Sequence, residues 1–131
     1  MIAKSIKGKS KEEIQAALQE SMRDGFSPTL AIVFLSVAQD RNAICRMLGE
    51  AGIAVFGSTT NGEFIDEETE SKSVAVLLLE INKDYFRIYT SDFQSDNYRK
   101  TSRSIAQKAN KEFEQVAFLL ATSNAATDGE E

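Results

Sequence analysis

The strongest constraint on the fold is a pair of short apolar runs with one amphipathic stretch between them. Leu30, Ala31, Ile32, Val33, Phe34 and Leu35 lead into Ser36 without an intervening charge. A run of that length suits a strand covered on both faces, as in α/β folds. Asp40 then stands where a helix N-cap is needed. Ile44, Met47, Leu48 and Ala51 follow at helical spacing over 41–51, and Gly52 marks the stop. Ile53, Ala54, Val55 and Phe56 form the second apolar run. Strand, helix and strand in close succession predict a βαβ unit with parallel strands at 30–36 and 53–57.

The rest of the chain is arranged around this unit. Ser10, Lys11, Glu12 and Glu13 fit a capping box, and Ile14, Ala17, Leu18 and Met22 give a helix over about 11–23, ended by Gly25. Residues 57–73 are polar and read as a surface loop, with a short strand at 63–65. Residues 74–81 and 85–93 are predicted to be strands joined by Asn82, Lys83 and Asp84, an antiparallel hairpin. Ser95 or Asp96 can cap a helix over about 97–114, with Tyr98, Ile105, Ala109 and Phe113 inward. Residues 116–121 read as a last strand. The fold class expected is α/β: a single domain over 1–131, with a mixed β-sheet flanked by helices.

Several function classes are excluded by what the chain lacks. There is no histidine among the 131 residues, which removes the usual general base and the usual metal ligand. Cys45 is the one cysteine, so it forms no internal disulfide, and it reads as a structural residue beside the inner stripe of its helix. The net charge is −5 with scattered basic residues, which argues against nucleic-acid binding. The apolar runs are too short to span a membrane, and the N-terminus does not resemble a signal peptide. A cytoplasmic protein is expected, with no cofactor and no metal. Asp66, Glu67, Glu68 and Glu70 lack the spacing of a calcium loop and read as a solvated acidic loop. Tyr85, Phe86, Tyr89, Phe93 and Tyr98 read as packing aromatics.

In open α/β sheets, ligands gather beyond the carboxyl ends of the strands. Here those ends read Ser36, then Ser58, Thr59, Thr60, Asn61, Gly62 and Glu63, then Thr122, Ser123 and Asn124. All three are rich in small hydroxyl and amide groups suited to a small polar ligand. The middle segment, from Gly57 to Phe64, has the glycine spacing of a P-loop. Glu63 and Phe64 stand where lysine and a hydroxyl residue are required, so a nucleoside triphosphate is rejected. The glycines are expected to serve tight turns.

The same segment resembles the N-terminal domain of FIST proteins (F-box and intracellular signal transduction). That family's motif runs glycine, cysteine, serine, threonine, alanine, glycine and glutamate after an apolar strand. Gly57, Thr60, Gly62 and Glu63 match, whereas Ser58, Thr59 and Asn61 depart from it. The order of flanking elements also agrees, from about residue 29 onward. The resemblance implies a sensory domain of bacterial signalling proteins that binds amino acids or related small polar compounds and works with a signalling output domain or protein. It implies no catalysis. It also implies more helix and strand than this chain supplies, hence an incomplete domain and a homo-oligomer that covers the exposed edge. Two other readings stand beside it. One is a protein–protein interaction module. The other is an enzyme using the carboxylates of Glu63 and Asp128.

Overall fold

The computed structural model describes residues 1–60, 63–65, 68–70, 72–92 and 97–121. The chain has a small α/β fold and divides into two compact units, Met1–Phe86 and Arg87–Glu131.

The first unit contains β1 (Ile2–Gly8), α1 (Lys11–Ser21), β2 (Leu30–Ser36), α2 (Arg41–Glu50), β3 (Ala54–Thr60), β4 (Glu63–Ile65), β5 (Glu68–Glu70) and β6 (Val74–Glu80). Four of the strands form one mixed sheet in the order β1-β6-β2-β3. β2 and β3 are parallel, in register from Leu30 opposite Ala54 to Ser36 opposite Thr60, so the βαβ unit is present as expected. β6 runs antiparallel to both β2 and β1. β4 and β5 form a separate two-stranded ribbon, so the segment read as a surface loop carries more order than its polarity suggested.

Alternation decides what the sheet buries. Ala31, Val33 and Leu35 of β2 and Val74, Val76 and Leu78 of β6 join Ile14 and Leu18 of α1 and Ile44, Met47 and Leu48 of α2 in one buried cluster. Both helices therefore sit on the same face. On the other face Phe34 is 40% exposed and Leu77 is 36% exposed, so β2 is not covered on both sides as its apolar run predicted. The run is apolar in both registers, and periodicity in such a run cannot tell a covered face from an open one.

The helix ends follow their capping residues. The Ser10 hydroxyl accepts from the Glu13 amide at 3.2 Å, and the Glu13 carboxylate reaches back to the Lys9 amide at 2.7 Å. This is the expected reciprocal cap, with its return bond one residue earlier than the usual pattern. α1 ends at Ser21, and Met22, expected inside, is 38% exposed. The Asp40 carboxylate caps α2 by accepting from the Ala43 amide at 3.0 Å. Ala51, expected on the inner stripe of α2, lies beyond the helix and is exposed.

β1 was not anticipated, and it displaces the expected hairpin. β6 has β1 on one side and β2 on the other, so neither of its edges is left for residues 85–93. After β6 the Asn82 side chain accepts from the Asp84 amide at 2.9 Å, and Lys83–Tyr85 make a 3-10 turn. The described residues from 86 to 92 are not strand.

The second unit holds α3 (Tyr98–Glu112). The helix stops at Phe113, whose backbone is extended. Arg87 pairs with Glu112 at 3.1 Å and lies over the Phe113 ring at 5.8 Å. Residues 116–121, expected as the last strand, form no strand, and Phe118, Leu119 and Leu120 are 50%, 60% and 75% exposed. Strand propensity reflects fit to a pleated, half-buried surface, and this segment has no sheet neighbour among the described residues.

Candidate functional site

The parallel pairing of β2 and β3 brings two of the three expected strand ends together. Ser36 lies directly opposite Thr60, and Ser58 opposite Phe34, so Ser36, Ser58 and Thr60 share the sheet face opposite α1 and α2. Ser58 and Thr60 are half-buried and Ser36 is buried. Thr59 stands opposite Leu35, on the helix-covered face, and is exposed at the edge.

This edge collects more than the two strand ends. β1 runs in the same direction as β2, since each is antiparallel to β6, so the carboxyl end of β1 arrives here too. The Gln39 side-chain amide donates to the Lys9 carbonyl at 2.9 Å and to the Lys72 carbonyl at 2.8 Å, tying the end of β1 to the approach to β6. The Ser36 amide donates to the Ser73 carbonyl at 3.0 Å, and its hydroxyl accepts from the Ala38 amide at 3.3 Å. α1 and α2 both begin at this edge, and their first-turn amides add partial positive charge to it. The result is a polar rim to which hydroxyls, an amide and backbone groups contribute.

Gly57 has a different role from the one expected of it. A Cβ on Gly57 would stand 1.8 Å from the Val33 carbonyl oxygen. The first glycine of the motif is therefore a close-approach residue between β2 and β3, inside the strand. Asn61, Gly62, Thr122, Ser123, Asn124 and Asp128 lie outside the described residues. Glu63 belongs to β4, with its Cα opposite that of Glu70. Among the described residues no group of three or more His, Cys, Asp or Glu side chains could hold a metal ion. No described helix is long and apolar enough to cross a membrane.

The second unit holds a concavity beside Tyr89, one of the aromatics expected to serve packing. A groove of about 500 Å³ opens between α3 and the segment 88–91. Tyr89 lines it, with a hydroxyl shielded from solvent and lacking a hydrogen bond of ordinary geometry among the described residues. Burial and the nearby Glu112 carboxylate push the Tyr89 phenol up from its usual pKa.

The βαβ unit, the polar motif at its second strand end and the following β6 have the order that the sequence resemblance implied. The FIST N domain profile matches residues 29–131, most of the chain. The chain belongs to the FIST N domain family. That family is associated with sensory roles in signal transduction. No curated protein and no solved structure gives a significant match. β1 and α1 precede the matched part of this FIST domain, yet they supply Ile6, Ile14 and Leu18 to its core.

Proposed function

We propose that this FIST domain senses a small polar ligand, an amino acid or a related compound, and passes its occupancy to a signalling output domain or protein in the cytoplasm of a bacterial cell. The ligand sits at the carboxyl edge of β2 and β3. The observation that carries this reading is the register that sets Ser36 opposite Thr60, with Ser58 on the same face. Ser58, Thr59, Thr60, Asn61 and Gly62 supply hydroxyl, amide and backbone donors for a carboxylate. Glu63 pairs with an amino group of the ligand, and Thr122, Ser123 and Asn124 remain candidates for further polar contacts to it. The domain, 1–131, works without catalysis, cofactor or metal.

A thermal-shift screen of amino acids and small carboxylates tests it. A ligand at a hundred times its dissociation constant stabilises by about 2.7 kcal/mol. The wild type is expected to respond and an Asn61→Ala, Glu63→Ala variant is not. Equal responses from both refute the site.

A second reading, a protein–protein interaction module that forms homo-oligomers, is favoured by the exposed apolar side chains of Phe34, Phe118, Leu119 and Leu120. Light scattering across a hundredfold dilution separates the two. A monomer mass throughout, with a ligand response, leaves sensing alone.

A further inference from the structure

We infer that the groove along α3 is a second binding site, separate from the strand-end site, for a small molecule carrying a diphosphate or two comparably spaced anionic groups. The inference does not rest on the sensing proposal and uses none of its residues.

The groove is cationic in a chain that is acidic overall. The chain carries −5, yet α3 holds Arg99, Lys100, Arg103, Lys108 and Lys111 with Glu112 as its single acidic residue. Glu112 is already engaged by Arg87 at 3.1 Å. Lys100 and Lys108 both line the groove, and no carboxylate is among its described lining residues. Among the described residues neither lysine makes a hydrogen bond or ion pair. Two unpaired cations facing one concavity repel each other and attract a shared anion.

The spacing sets the ligand's length. Eight residues along a helix correspond to a rise of about 12 Å, so the two ammonium groups, reaching inward from either end, meet two linked phosphate groups more readily than a single one. Between them lie the hydroxyls of Thr101 and Ser104, and those of Thr90 and Ser91 line the same groove. Lysines at the two ends and hydroxyl donors between fit a chain of phosphate oxygens, each a strong acceptor. Ile88 and Ile105 give the groove an apolar patch for the body of the ligand. The volume of about 500 Å³ falls in the ordinary range for small-molecule sites. A nucleic acid is a poorer fit, because its backbone would extend past the groove over a protein of net negative charge.

The test is calorimetric titration of the full chain with inorganic pyrophosphate, run at low and high salt. Wild-type protein is expected to bind it, with affinity falling as salt rises. A Lys100→Gln, Lys108→Gln variant is expected to bind at least about tenfold more weakly. A Lys11→Gln, Arg46→Gln control loses the same charge from exposed positions on α1 and α2 and is expected to bind like wild type. Circular dichroism confirms that each variant is folded. The proposal is overturned by absence of binding at millimolar pyrophosphate, by equal weakening in both variants, or by tighter binding of a single-stranded oligonucleotide than of pyrophosphate.

Discussion

Gly57 and Val33 face each other across the parallel β2–β3 pair so closely that a Cβ on Gly57 would lie 1.8 Å from the Val33 carbonyl oxygen. Backbone atoms cannot swing aside as a side chain can, so any other residue forces the two strands apart. Gly57→Ala is expected to destabilise the domain by more than about 3 kcal/mol. Urea denaturation reads this directly, and a loss below about 1 kcal/mol would show that the strands separate easily.

Core burial predicts a contrast within the first unit. Leu48 is fully buried between α2 and the sheet, whereas Phe34 is 40% exposed on the opposite face. Leu48→Ala is expected to cost about 2–5 kcal/mol and Phe34→Ala markedly less. Comparable losses at the two positions would mean that the open face is covered in solution.

Acid sensitivity should trace in part to Asp24. Its carboxyl is held below the usual carboxylate range, first by the Lys4 side chain at 2.7 Å and then by the Phe26 amide. The unfolded chain takes up this proton more readily than the folded one. The contribution is therefore present above about pH 4 and lost as pH falls through the lowered folded value. Asp24→Asn is expected to flatten the acid limb of a stability–pH profile; an unchanged limb counts against the pair.

Alkaline sensitivity should have the opposite sign at Tyr89. Burial, then the Glu112 carboxylate, favours the neutral phenol in the folded state. The unfolded chain loses this proton first, so the contribution is present below about pH 10 and lost as pH rises through the raised folded value. Tyr89→Phe is expected to remove that part of the alkaline fall. A variant that tracks wild type to high pH would contradict the assignment.

Much of the first unit was legible because its signals are local. Ser10 and Asp40 cap the helices they were expected to cap, and the 30–36 and 53–57 runs pair in parallel. What failed was pairing at a distance. β1 is an edge strand in which Lys4 stands on the inward face and masks the alternation, although Ile6 and Gly8 on that face are buried and Lys7 faces out. Because β1 takes the second edge of β6, the expected hairpin has no place to form, and that outcome depends on residues about 70 positions apart in the sequence. At the candidate site, the register sets Ser36, Ser58 and Thr60 on one face of the β2–β3 pair, while the role of Gly57 needed the register with Val33 to become visible. The α3 groove escaped because the sequence does not show that segment 88–91 lies against the α3 face that carries Lys100 and Lys108.

The most direct test of the sensing account is an amide-resolved nuclear magnetic resonance titration of the full chain with individual amino acids. The account predicts saturable shifts that cluster at Ser36, Ser58 and Thr60, the three residues that the β2–β3 register places on one face. Titrations in which those amides stay still while no amino acid moves any cluster, or in which the shifts fall only along α3, would contradict it.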